Sequence, residues 1–329
     1  MKTILVPGGA GFIGSHTVAA LHRHGYKSII LDNFSNGHKE SVLHGEIIDG
    51  DIRDTALLDT IFNTYEIDAV IHFAAFIEAG ESVVNPLPFY DNNTAGALNL
   101  LQAMQRHKVE RIVFSSTAAV YGQPENDNAL VETLPKLPIN PYGQTKWAVE
   151  CMLRDIAASS NFKSIALRYF NAAGCDPESR IGELHEPETH LIPLVLQAAS
   201  GKRKNIKMFG TDYPTPDGTC IRDYIHVSDL ANAHVKALSY LFDNVEEKNG
   251  FYDAFNLGTG QGFSVREVIE TARCVTGVNF DAIEEERRPG DPAFLVANAD
   301  KANKILKWQP EYPELEEMIQ HAWAFLKNR

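Results

Sequence analysis

The chain has 329 residues, 44% hydrophobic and 22% charged, the balance of a folded globular protein and not of a disordered one. Its formal charge of −13 excludes the basic face that nucleic acid or an anionic membrane surface needs, and no apolar run reaches the roughly 18 residues of a membrane helix. The start runs straight into an apolar stretch without a signal-peptide pattern, and Cys151, Cys175, Cys220 and Cys274 are far apart with no CxxC, so a cytoplasmic protein without disulfide framework or zinc site is expected.

Apolar runs alternate with amphipathic stretches through the first 170 residues. Strands are expected at 3–7, 28–31, 69–74, 111–114 and 164–168, and helices at 12–24, 54–64, 89–107 and 141–160. That alternation predicts an α/β fold with a doubly wound, mostly parallel sheet. Beyond residue 172 proline and glycine recur and the pattern loosens. A dinucleotide-binding domain is therefore placed at 1–172 and a smaller α/β substrate domain at 173–329, with 253–257 returning to the first as a strand. An amphipathic helix at 314–326 closes the second domain.

Directly after the first expected strand, Gly8, Gly11 and Gly14 stand three apart and a helical pattern follows. Glycines there let the backbone turn tightly and approach a pyrophosphate, whose charge rests on the N–H groups of the helix start. The second strand ends in Asp32, a carboxylate placed to accept hydrogen bonds from adenosine ribose hydroxyls and to repel a 2′-phosphate, which favours NAD over NADP. Asp51, Ile52, Phe73, Ala74 and Ala75 follow later runs, where open α/β sheets contact a ligand.

Tyr142 and Lys146 are four apart on an expected helix and share its face, and Tyr142 is the one tyrosine with lysine at that spacing. An ammonium near the phenol favours phenolate and makes a general base. The hydroxyls of Ser115, Ser116 and Thr117 end the strand before this helix, and Ala118 and Ala119 follow them. Together these parts describe alcohol oxidation: NAD accepts hydride from a carbon, Tyr142 accepts the hydroxyl proton, Lys146 holds down the tyrosine pKa, and Thr117 steadies the oxygen.

The segments GGAGFIG, LDNFSNG, GDIRD, HFAA, GESV, YDNN, SSTAAVYG, PYGQTK, RYFNAAG, FGTDYPTPDGT, RDYIHVSDLA and RRPGD run nearly end to end. With them the chain resembles the extended short-chain dehydrogenase/reductase family that acts on sugar nucleotides. The resemblance implies a Rossmann sheet, NAD, and interconversion of UDP-galactose and UDP-glucose by transient oxidation at C4, turning of the 4-keto sugar and re-reduction on its other face. Another UDP-sugar, N-acetylated or a pentose, is the alternative. Relatives that dehydrate or decarboxylate usually carry an acidic residue where this chain has Ala118 and Ala119, so the keto sugar lacks a group to assist loss of water and can only be reduced again.

Carried over position by position, the resemblance implies cofactor contacts from Gly8, Gly11, Phe12, Ile13, Gly14, Asp32, Asn33, Asn36, Gly37, Asp51, Ile52, Phe73, Ala74, Ala75, Asn92, Lys146 and Phe170. It implies substrate contacts from Thr117, Tyr142, Asn171, His190, Leu191, Phe209, Arg222, Arg288, Asp291 and Leu295, and a homodimer through the helices near 89–107 and 141–160. Four positions depart from the family pattern: Ile77 replaces a lysine that often contacts the cofactor, His190 an asparagine near the diphosphate, and Thr117 a serine, while Leu295 stands where the sugar's 2-substituent is gated and leaves it little room. The segment 183–190, with two histidines and three glutamates, reads as a polar loop and not as a metal site. The glycines at 258–262 read as a turn into a helix capped by Ser264 and Glu267.

Overall fold

The computed structural model describes residues 1–124, 127–246, 248–288 and 291–329; Pro289 and Gly290 of the RRPGD segment lie outside the described residues. In chain order the first half contains β1 (Thr3–Pro7), α1 (Phe12–Arg23), β2 (Lys27–Asp32), β3 (Glu46–Asp49), α2 (Thr55–Thr64), β4 (Ala69–His72), α3 (Ala79–Val84), α4 (Pro86–Phe89), α5 (Gly96–Arg106), β5 (Arg111–Ser115), α6 (Pro141–Ser159) and β6 (Lys163–Tyr169). The second contains β7 (Asn171–Ala173), α7 (Leu191–Ala199), β8 (Asn205–Phe209), β9 (Ile221–His226), α8 (Val227–Asp243), β10 (Phe251–Leu257), β11 (Gly262–Ser264), α9 (Val265–Thr276), β12 (Asp281–Glu285), β13 (Phe294–Leu295), α10 (Asp300–Ile305) and α11 (Leu315–Lys327).

The main sheet has seven parallel strands in the order β10-β6-β5-β4-β1-β2-β3. Ile4 and Val6 turn to one face and pack with Ile30, Ile71 and Val113 against α1 and α8, while Leu5 turns to the other and packs with Ile29, Val70 and Phe114 against α2, α5 and α6. With both faces covered, successive strand residues are apolar, which is why these strands read as short continuous runs. β3 escapes such a reading because it is a short edge strand of sequence EIID, mostly accessible to water. From the second half, α8 and β10 join this layered core: α8 lies against α1, and β10 pairs with β6 from Phe251↔Lys163 to Leu257↔Tyr169.

The expected helix over 89–107 is interrupted. A wider π turn at Tyr90–Ala95 separates α4 from α5 and carries Asn92 and Asn93 inward. Asn93 explains the turn, because its amide donates to Phe76 O and Thr145 Oγ1 and its Oδ1 accepts from Phe76 N, tying this segment to α6. α6 itself starts as its sequence requires, with Pro141 in the first turn and Asn140 Oδ1 accepting from Gly143 N at 2.8 Å.

The remaining strands gather around β9, which is flanked by β7, β11 and β13, while β8 and β12 form a separate parallel pair. Helices α7, α9 and α11 enclose a core of their own around Ile192, Leu196, Ile269 and Met318. Ser264 caps α9 in a reciprocal box with Glu267, and Thr259 and Gly260 donate to the buried carboxylate of Asp223, so the glycines at 258–262 serve a turn. No helix among the described residues is long and apolar enough to cross a membrane.

Candidate active site

In the main sheet the chain order reverses between β1 and β4, and open α/β sheets hold ligands outside the carboxyl ends of the strands at such a switch. Both strand ends are closely coupled there, since Phe73 N and Ala74 N donate to Pro7 O at 2.8 and 3.0 Å. Gly8 has φ +78°, and a Cβ on it would sit 2.4 Å from Ala74 N; a Cβ on Gly14 would sit 2.2 Å from Gly8 O. Only glycine allows this approach. Gly11 opens α1 with no side-chain cap, so the positive end of a twelve-residue helix faces the crevice.

A single cavity collects every expected cofactor residue: Gly8, Gly11, Phe12, Ile13 and Gly14 from the glycine loop; Asp32, Asn33, Asn36 and Gly37 after β2; Asp51 and Ile52 after β3; Phe73, Ala74 and Ala75 after β4; then Asn92, Lys146 and Phe170. Asp32 is held by Ala10 N and Phe34 N, each at 2.9 Å, and burial raises its pKa against those bonds. Asp51 is gripped by the Arg53 guanidinium at 2.9 and 2.8 Å and by Asn33 Nδ2 at 2.8 Å, and the arginine pulls its pKa down to about 2. A carboxylate at the end of β2, a glycine cradle that a Cβ would fill and an uncapped helix start fit a dinucleotide. Ile77 also lines the cavity and offers an apolar side chain there.

Thr117, Tyr142, Lys146, Asn171 and His190 line the same cavity. The Thr117 hydroxyl hydrogen-bonds the Tyr142 phenol and also accepts from Ala119 N at 3.1 Å. Burial pushes the Tyr142 pKa up to about 12, the Thr117 bond opposes this, and the Glu78 charge adds to the rise. Lys146 Nζ donates to Ser115 O at 2.9 Å, and burial lowers its pKa to about 7. Its two remaining N–H donors suit hydroxyls of a cofactor ribose.

The other expected substrate residues are not among those lining this cavity. Arg222 pairs with Asp291 at 3.2 Å, and Arg288 stacks over the Phe209 ring at 4.0 Å. Leu295 lies opposite Arg222 across the β9–β13 pair and packs, as Phe170 does, against the cluster of Val120, Tyr121 and Leu130. Leu191 opens α7 against the second core. His190 is not free to donate as an asparagine would: its Nδ1 lies 2.7 Å from Glu183 and 3.3 Å from Glu188. Burial opposes its imidazolium, but the two carboxylates prevail and push its pKa up to about 10.

Beneath the hydroxyl cluster lies a network that motif reading missed. Glu150, fully buried, accepts from Ser116 Oγ at 2.5 Å, from Arg168 Nε at 3.0 Å and from Tyr252 OH at 2.8 Å. Arg168 Nη1 continues to Tyr121 OH at 2.9 Å, and that hydroxyl donates to Asn256 at 2.6 Å. The signal was present: Tyr142, Lys146 and Glu150 repeat every four residues along one helix face. Glu183 and His185 also line the cavity without having been singled out as site residues.

Residues 4–258 match the NAD dependent epimerase/dehydratase family. The chain is 53% identical over 325 residues to the UDP-glucose 4-epimerase of Halalkalibacterium halodurans, covering 99% of this chain and 96% of that one. Among solved structures it is similar to the Brucella ovis UDP-glucose 4-epimerase in complex with NAD, with TM-score 0.94, 44% identity and 98% of each chain covered. The Bifidobacterium longum UDP-glucose 4-epimerase in complex with NAD+ and UDP superposes with TM-score 0.92 at 38% identity, covering 100% of this chain and 99% of that one. With the family profile spanning the sheet, the crevice and the Tyr142 helix, and near-full-length relatives beside it, this chain belongs to the NAD dependent epimerase/dehydratase family.

Proposed function

We propose that this chain interconverts UDP-galactose and UDP-glucose as an NAD-dependent 4-epimerase. The carrying observation is the wall that Thr117, Tyr142 and Lys146 form at the end of β5, followed by two alanines. NAD supplies a reversible acceptor of hydride at C4. Tyr142 takes the O4 proton and later returns it, with Thr117 hydrogen-bonded to the phenol and placed to hold O4. Lys146 anchors beside Ser115 O and holds the ribose end. The carboxylates lining the cavity are Asp32 and Asp51 at strand ends and Glu183 on the rim; residues 114–122 contribute none. A 4-keto sugar beside Thr117 meets no acidic side chain from residues 114–122 to drive elimination, and after swinging about its diphosphate it is reduced from the other face.

Recognition of the UDP-sugar falls to the part beyond residue 172, where Arg222 and Arg288 offer forked donors suited to a diphosphate. Asn171, Leu191, Phe209, Asp291 and Leu295 complete that side. Purified protein should interconvert the two UDP-hexoses with no net reduction of NAD; lack of turnover in protein shown to contain NAD would rule the reading out.

Two copies pair, in this reading, through the α5 and α6 side of the molecule. Val84, Leu87, Tyr90 and Leu98 support it, being apolar or aromatic and 80%, 75%, 39% and 41% exposed along α3 to α5. Sedimentation should give a dimer, and Leu98→Glu with Leu87→Glu should give monomer; a monomeric parent protein would remove the proposal. A cytoplasmic setting agrees with four free thiols and no disulfide.

A further inference from the structure

We propose that Glu183, His185, Glu188 and His190, all but Glu188 on the wall of the crevice, form a site for one divalent transition-metal ion of the zinc type, a proposal that does not rest on the epimerase reading. The segment between β7 and α7 repeats Glu-x-His, at Glu183-Leu184-His185 and again at Glu188-Thr189-His190. The fold brings both repeats together, so that one donor atom from each of the four residues lies within 4.8 Å of all the others. Glu183 Oε1 is 2.9 Å from His185 Nδ1 and 2.7 Å from His190 Nδ1, and Glu188 Oε1 is 3.3 Å from His190 Nδ1. A tetrahedral ion with donors at about 2.0–2.1 Å sets them about 3.3 Å apart, so small side-chain shifts close the shell.

Two further observations point to a cation. The side chains of Glu183 and Glu188 are only 7% and 6% exposed, so both carboxylates are enclosed at the point where their oxygens converge with the imidazoles. His190 Nδ1, although close to both carboxylates, is buried without a hydrogen bond to either. Two imidazole nitrogens and two carboxylate oxygens are the donor set of zinc and its first-row neighbours and not of calcium or magnesium. The ligands are themselves braced: Thr189 N and His190 N donate to Glu188 Oε1 at 2.7 and 2.8 Å, and His38 Nε2 meets Leu184 O at 2.7 Å. The ion would lock the two repeats together where the crevice meets a second cavity lined by Cys175 and Lys202, and so fix the loop that leads into α7.

The NAD-loaded protein, stripped with a chelator and titrated with Co2+, should develop visible ligand-field absorption that saturates at one ion per chain and is displaced by Zn2+. The same titration of His185→Gln, with folding checked by retained NAD and circular dichroism, should lose the saturable band. If His185→Gln fails to fold, Glu188→Gln serves, and the melting temperature of the parent protein should rise with Zn2+ in either case. An unsaturable titration of the parent protein, or a band unchanged in the folded variant, would overturn the site and leave the four side chains as an ion-pair cluster.

Discussion

The dinucleotide crevice is walled by the ends of strands buried on both faces, whereas the side that carries Phe209, Arg222, Arg288 and Asp291 is walled by short strands and held by ion pairs and stacking that water reaches. In the crevice each group is fixed by something rigid behind it: Gly8 by Ala74, Lys146 by Ser115, Ser116 by Glu150. On the rim, Arg222 is held by Asp291 on a neighbouring loop and by Ile221 O. If, as proposed, chemistry is built on the sheet and recognition on its edge, substitutions in the first should change kcat or the fold, and those in the second KM or selectivity.

The largest expected effect tests the crevice directly. Tyr142→Phe removes the proton acceptor while keeping the ring, and kcat should fall by about 10²–10⁴-fold, the usual contribution of a positioned acid or base. NAD content and KM should stay close to those of the parent protein. An unchanged kcat would move the acid/base role to another group.

Next comes the network under the hydroxyls. Arg168 is 2% exposed and depends on Glu150 for charge compensation. Glu150→Gln should lower the unfolding free energy by roughly 3–5 kcal/mol, the effect of removing one partner of a buried pair. Replacing both residues by methionine should recover much of that loss, because the unpaired charge goes too. A urea midpoint for Glu150→Gln equal to that of the parent chain would show that the pair does not hold the strand end.

These residues also mark where the sequence is legible. β1, β2, β4, β5 and β6 stand out because two-sided burial leaves unbroken apolar runs, and the glycine loop because close backbone approach admits no side chain. Helix spacing placed Tyr142 and Lys146 on one face, but could not say that Lys146 would turn to Ser115 O or that burial would dominate both pKa values. β3 was hidden because an edge strand needs no apolar run, and the π turn because its cause, Asn93 reaching Phe76 and Thr145, is a tertiary contact. Glu183 and His190 illustrate the same limit on the rim, since pairing across a loop of polar residues leaves no periodic trace.

A third test uses pH. In the cofactor-free protein the Lys146 pKa is lowered by burial from 10.5 to about 7. Between those values the unfolded chain binds more protons at this group than the folded one, so its contribution makes stability rise with pH from about 7 toward 10.5, by up to about 1.4 kcal/mol per pH unit. Tyr142 acts in the opposite sense above its ordinary value, because its folded pKa is raised to about 12. Subtracting the stability profile of Lys146→Met from that of the parent protein isolates the lysine. A flat difference across that window would mean that its ammonium has a partner or solvent in the folded state.

The smallest expected change lies on the rim, at Leu295. This side chain is half-buried, lies opposite Arg222 and packs, as Phe170 does, against the cluster of Val120, Tyr121 and Leu130. Leu295→Ala removes three carbons there and opens room for a larger 2-substituent without touching Thr117, Tyr142 or Lys146. The ratio of kcat/KM for an N-acetylated UDP-hexose to that for UDP-galactose should rise by about tenfold, the lower end of what apolar pocket volume discriminates. The rate with UDP-galactose itself should change by less, because no hydrogen bond is lost. If the ratio stays fixed while both rates fall together, Leu295 supports Phe170 and the strand end instead of gating the sugar, and the boundary between crevice and rim runs outside it.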